Sequence, residues 1–186
     1  MHFTFQPLNE KTWPDFEKLF GERGACGGCW CMTPRLKSSD YARLKGEGNK
    51  KAMHEIARSG QPAGIIAFHE KQAVGWCAVA PRSVFVRLEN SRILKPVDDQ
   101  PVWSITCLFI DKNWRRKGLS VELLKEAAAF AKKNGANIVE GYPVIPQKGE
   151  MPDVFAYTGI ASSYSAAGFT EVARRSAGRP VMRRTL

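Results

Sequence analysis

The chain has 186 residues, 44% hydrophobic and 25% charged, with 28 Lys and Arg against 18 Asp and Glu and a net charge of +10. Size and composition are those of one globular domain over 1–186; no apolar run is long enough for a bilayer, and MHFTFQPLNE lacks a basic region leading into an apolar core, so no membrane span or secretory signal is read and a cytoplasmic location is expected. The cation excess suits polyanions (nucleic acid, anionic lipid, phosphorylated cofactors) without choosing among them, and five cysteines, an odd number, point to reduced thiols rather than a disulfide framework.

In chain order, HFTFQPL (2–8) alternates as a first strand. NEKTWPDFEKLFGE (9–22) predicts a helix with Trp13, Phe16, Leu19 and Phe20 on one face and Pro14 in its first turn. RGACGGCWCMTPR (23–35) is a glycine- and cysteine-rich loop, and 38–60 a second helix, broken near Gly46 and Gly48. The stretch 63–82 predicts a hairpin turning at HEKQ, 83–101 a short helix and a loop, and VWSITCLFI (102–110) a central buried strand. After the loop DKNWRRKG (111–118), 119–135 is the clearest helix: Leu119, Leu123, Leu124, Ala127, Ala128 and Ala131 form one stripe and Gly135 stops it. A buried strand (136–145), a loop (146–154), a weak helix (155–169) and two strands complete a mixed α/β order.

The strand, cationic glycine loop and helix of 102–135 predict an anion site. The first N–H groups of a helix lack intrahelical partners and carry the positive end of its dipole; a glycine admits close approach, and Arg115, Arg116 and Lys117 add charge. Neither the P-loop pattern nor the dinucleotide fingerprint G-x-G-x-x-G is present.

Arg115, Gly118 and Ser120 match the Gln/Arg-x-x-Gly-x-Gly/Ala loop of the GNAT (N-acetyltransferase) superfamily, with Ser120 standing where that family has Gly or Ala. YSAAGF supplies Tyr164, Gly168 and Phe169 of its Tyr-x-x-x-Gly-Phe ending, so the chain resembles a small bacterial-type member with a cysteine-rich N-terminal loop. The resemblance implies a mostly antiparallel central sheet, flanked by helices, whose two parallel central strands (here 105–110 and 138–144) splay apart. It implies acyl transfer, most often acetyl, from acetyl-CoA to a small-molecule or peptide amine, with the pantetheine arm on backbone groups of Leu108, Phe109 and Ile110. The diphosphate would then sit on the amides of 116–120 (Arg116, Lys117, Gly118, Leu119, Ser120) beside Arg115. A strand N–H near Phe109 or Ile110 would meet the oxyanion, and Tyr164 is the candidate acid for the leaving thiolate. Homodimers are common in the resembled family.

The base is open among Glu140, His69, His54 and Asp153. Cys26-x-x-Cys29-x-Cys31 lacks a clear fourth ligand, with His54 or Cys77 the candidates, so no metal is expected. The loop reads either as buried apolar packing or as a pocket wall in which Trp30, Cys31 and Met32 line the acceptor site. Arg35 and Arg82 read either as solvated arginines or as ligands of an acidic acceptor. Arg174, Arg175, Arg179, Arg183 and Arg184 read as a charged edge hairpin, since no aromatic interleaves them for nucleic-acid stacking. A non-catalytic CoA sensor or a basic nucleic-acid-binding module is the alternative, although no helix-turn-helix, zinc-finger or RNP-like signature is present.

Overall fold

A computed structural model describes residues 2–146 and 156–186. Seven strands, β1 (Thr4–Pro7), β2 (Gly64–His69), β3 (Gln72–Pro81), β4 (Trp103–Ile110), β5 (Ile138–Gly141), β6 (Thr170–Arg174) and β7 (Pro180–Thr185), form one sheet in the order β1-β2-β3-β4-β5-β7-β6. Only β4 and β5 are parallel; every other neighbouring pair is antiparallel. The near-continuous apolar runs of β2 and β3 are buried along most of their length, as expected for strands covered on both faces, while the short edge strand β6 is largely exposed.

The helices are α1 (Trp13–Phe20), α2 (Ser38–Leu44), α3 (Glu47–Ser59), α4 (Val86–Glu89), α5 (Leu119–Lys133) and α6 (Ala161–Ala166). One face of the sheet packs its Ile65, Cys77, Val79, Ile105 and Leu108 against the α5 stripe and Tyr164. Leu119, Leu123 and Leu124 are fully buried there, and each contributes about 1.5–3 kcal/mol. The other face packs Ile66, Phe68, Trp76 and Ala78 against Trp13, Phe16 and Phe20 of α1, Met53 of α3, and the cysteine loop.

Three elements differ from expectation. The 38–60 helix is two helices, because Gly46 takes φ 83° between them. The strand expected over 136–145 ends at Gly141, since Tyr142 turns into a buried polar cluster and Val144 bridges Ile160 instead. The helix expected over 155–169 contracts to Ala161–Ala166, with Gly159 at φ 83° ahead of it. The loop expected over 146–154 lies outside the described residues apart from Pro146.

Candidate active site

The site begins where two strands part. β4 and β5 pair through Trp103–Val139, Ser104–Glu140 and Ile105–Gly141, and no further. At this point the β3–β4 register shifts between Ala78 (opposite Cys107) and Val79 (opposite Ile105), leaving Thr106 as an extra residue in β4. Such a bulge bends its strand and strengthens its twist, which steers β4 away from β5. Glycine is required at 141 because Tyr164 lies against it: a Cβ there would overlap the ring and stand 2.7 Å from the hydroxyl oxygen. Tyr164 is fully buried and donates to the Thr158 carbonyl at 3.1 Å; burial pushes its pKa well up.

Beyond the fork, β4 presents an edge. The Leu108 amide donates to the Tyr157 carbonyl at 2.6 Å, and Arg115 Nε donates to the Ile110 carbonyl at 3.0 Å. Backbone groups alternate along an antiparallel pair, so Leu108 and Ile110 face the gap while Phe109 and Asp111 face β3; the Asp111 amide donates to Val74 there at 3.0 Å. Of the three residues expected to serve a pantetheine arm, Phe109 turns its backbone to β3 and the Leu108 amide has Tyr157 as partner.

The loop after β4 delivers the start of α5. Gly118 is its N-cap at φ 80°, a left-handed conformation that L side chains rarely adopt, and a Cβ there would meet nothing within 4 Å. The helix's first bonds run from Val121 and Glu122 back to the Gly118 carbonyl, so the amides of Leu119 and Ser120 belong to its open end. Arg116 and Lys117 are exposed, and Lys117 Nζ sits 5.0 Å from the Trp114 ring centroid. Ser120 Oγ lies 3.3 Å from Ser163 Oγ, and Ser163 adjoins Tyr164, so the helix end and the fork share one wall.

A scan against protein families matches the acetyltransferase (GNAT) family over residues 30–143, more than half of the chain. The chain belongs to the GNAT family. A comparison with curated proteins finds no match. Among solved structures the chain is similar to PaiA N-acetyltransferase from Thermoplasma acidophilum in complex with coenzyme A, at 14% identity over 100% of both chains and TM-score 0.55. It is also similar to the aminoglycoside N-acetyltransferase AAC(6')-Iy in complex with CoA, at 16% identity over 94% of this chain and 92% of that one, TM-score 0.55. A third is the NatC complex bound to Gag peptide and CoA, at 12% identity over 100% and 99%, TM-score 0.53. At these identities the likeness is one of fold: a mixed sheet with one parallel pair, flanked by helices.

On the opposite face of this GNAT sheet, Trp30, Cys31 and Met32 are brought together and buried. Trp30 stacks on Trp13 and Phe20 with centroids 6.3 and 5.8 Å apart, so its indole serves the aromatic core. The Cys31 sulfur faces the Cys107 thiol and accepts the Trp76 Nε1–H at 3.2 Å; these donors hold its pKa below the ordinary thiol value. Cys26 is exposed and Cys29 half-buried, and among the described residues no group of three or more His, Cys, Asp or Glu could hold a metal.

The base candidates are scattered. Glu140, 1% exposed, accepts Arg82 Nη1 at 3.2 Å and the Tyr142 hydroxyl at 2.7 Å on one oxygen, and Arg183 Nε at 2.7 Å on the other. With both oxygens engaged it is a tie between β5, β7 and the Arg82 segment. His54 stacks on Trp13 at 4.2 Å and pairs with Glu10, His69 packs on Trp114 at 4.4 Å, and Asp153 lies outside the described residues.

The C-terminal arginines also serve internal contacts. Arg175 donates to the carbonyls of Ile93, Lys95 and Pro96, Arg179 to Tyr142, Arg184 to Ala167, and Arg183 to Asp98 as well as Glu140. Tyr157 and Thr106 went unnoticed in the sequence. Thr106 left one signal, a polar residue inside the apolar run VWSITCLFI; Tyr157 left none.

Proposed function

We propose that this GNAT chain is an N-acyltransferase that moves an acyl group, in the first place acetyl, from acetyl-CoA to the amine of an acceptor by direct attack within one ternary complex. The observation that carries this reading is the shared wall: the open end of α5 at Gly118–Ser120 is joined through Ser163 to Tyr164, which packs on Gly141 at the fork. In this reading one surface carries the diphosphate and the β4 edge that β5 has left, with a buried hydroxyl at its apex.

In this reading the amides of 116–120 hold the diphosphate, with charge from Arg115, Arg116 and Lys117. The Ile110 N–H, which the ladder turns to the gap, polarises the thioester carbonyl and receives the developing oxyanion. Tyr164 holds its proton at neutral pH, since burial raises its pKa, and gives it to the departing thiolate. The relatives in complex with a peptide and CoA and those acting on an aminoglycoside support an amine acceptor, small or peptidic, as the class. The alternative of a basic nucleic-acid module is weakened by the internal bonding of the C-terminal arginines.

The test is a thermal shift with acetyl-CoA together with thiol release across an amine panel. At a concentration 100-fold above Kd the shift should be about 5–10 °C, and Gly118→Pro should abolish it. No shift, or one untouched by Gly118→Pro, overturns the cofactor site; a shift without thiol release for any amine favours a non-catalytic CoA sensor.

A further inference from the structure

Two arginines of this chain are buried to the same degree and differ sharply in their partners. Arg82 donates to Glu89, Glu140, the Tyr142 hydroxyl and the carbonyls of Leu88 and Leu94. Arg35, 9% exposed, reaches one protein oxygen, with Nη2 at 3.5 Å from the Ala63 carbonyl. Among the described residues its buried Nε has no hydrogen-bond partner, and no carboxylate pairs with it. The Phe85 ring covers one side of the guanidinium at 4.8 Å from Cζ. A cation taken out of water in this way is costly unless an anion meets it. Burial pushes its pKa down, opposed by Cys31 alone.

Its location gives the missing anion a meaning. The Ala63 carbonyl that Arg35 touches also accepts the Val79 amide, Val79 pairs with Ile105, and Ile105 pairs with Gly141. Arg35 therefore touches the β2 end of the rung whose other end, Ile105 and Gly141, is the fork. Next along β4 from that rung is Thr106, whose buried hydroxyl also lacks a partner among the described residues. The loop is fixed beforehand: the Arg35 amide bonds Met32 at 3.0 Å, and Arg87 ties down the carbonyls of Pro34 and Leu36, each at 3.2 Å. A rigid, half-satisfied fork of donors has the chemistry to receive a carboxylate.

We propose that Arg35 anchors a carboxylate of the acceptor, so that the substrate is a small amine bearing a carboxylate, of the amino-acid type, rather than a plain polycation. The inference deepens the N-acyltransferase reading and rests on it. Fixing the carboxylate sets the distance at which the amine meets the fork, so the guanidinium selects the acceptor and orients it.

Matched pairs test this: glycine, leucine and glutamate, each against its α-carboxamide, as acceptors in the thiol-release assay. An α-carboxamide lowers the amine's own pKa and leaves more of it neutral, so chemistry alone favours the amide. The site should reverse that, with kcat/KM about tenfold to a hundredfold higher for the acid. Arg35→Gln should erase the preference and Arg35→Lys restore part of it, both keeping the acetyl-CoA thermal shift. Equal or amide-favouring rates in the wild type, or a preference that survives Arg35→Gln, overturn the proposal. Thermal shifts by the same carboxylates without acetyl-CoA judge it separately from the cofactor site: stabilisation by acids over amides that Arg35→Gln removes supports it even if acetyl-CoA fails to bind, and none at saturating acid in a chain that binds acetyl-CoA counts against it. Should Arg35→Gln not fold, the wild-type acid-to-amide ratio decides alone.

Discussion

The Leu108 amide and the Tyr157 carbonyl meet at 2.6 Å on the edge of β4 that β5 has left. That edge is where the N-acyltransferase reading seats a pantetheine arm, so arm and carbonyl compete for one donor. Acetyl-CoA should therefore change amide hydrogen exchange over 156–160 while leaving the β2–β3 hairpin as it was. If exchange over 156–160 stays constant while acetyl-CoA binds, the arm uses other groups and Leu108 has no part in holding it.

Gly141 admits the Tyr164 ring, so Gly141→Ala should force the ring or β5 to move. Overpacking of this kind costs about 1–3 kcal/mol, a fall in Tm of roughly 2–10 °C by thermal denaturation. Turnover should fall with it, since the hydroxyl that stands beside Gly141 would be displaced. An unchanged Tm would mean that β5 ends at Gly141 for another reason.

Tyr164→Phe removes a hydroxyl bonded to Thr158 and should cost about 1 kcal/mol of stability. If that proton goes to the thiolate, kcat should drop about a hundredfold or more while acetyl-CoA binding holds. Burial raises the folded-state pKa above the unfolded value of about 10, so the group's contribution to stability is complete below about pH 10 and is lost above it. Wild-type turnover should show no alkaline limb from Tyr164 below that pH; a limb there that Tyr164→Phe removes would contradict the raised pKa while supporting the acid role.

Glu140→Gln leaves Arg82 and Arg183 facing a neutral amide in a buried site, a loss of about 3–5 kcal/mol by denaturant unfolding. Turnover per folded molecule should hardly change; a large fall in kcat with intact stability would restore Glu140 as a base. The neighbouring Asp98 has its pKa held down by Arg183, so that pair's contribution is present above about pH 4 and fades as acid protonates the carboxylate.

The thiols should label in an order set by burial. Cys26 is exposed and should react first in the native state, whereas Cys77, buried and with its pKa raised well by that burial, should react only on unfolding. Cys31 has a lowered pKa but is buried beneath Trp76 and should also resist alkylation. Rapid modification of Cys31 would show that the loop opens readily.

Much of this was legible in the chain because local rules governed it. The α5 stripe, the stop at Gly135, the β2–β3 hairpin and the cationic start of α5 are properties of neighbouring residues. Tyr164 could be singled out by its motif, and its place at the fork followed once Gly141 was seen to make room for it. What sequence could not reveal depends on partners distant along the chain. Glu140 reads as a free carboxylate until Arg82 and Arg183 arrive from β3's end and β7. The bulge at Thr106 is a matter of register between strands, and Arg35 differs from Arg82 only in what the fold places around it.

The arginines of the C-terminal hairpin carry a further consequence. Arg175 holds three carbonyls of the 93–96 segment, those of Ile93, Lys95 and Pro96, and Arg183 holds Asp98. These two of the 28 cations thus work as internal cross-bracing of a long connection, leaving less of the charge as an outward field. On a heparin or cation-exchange matrix the protein should elute at lower salt than a freely charged surface of the same nominal valence would.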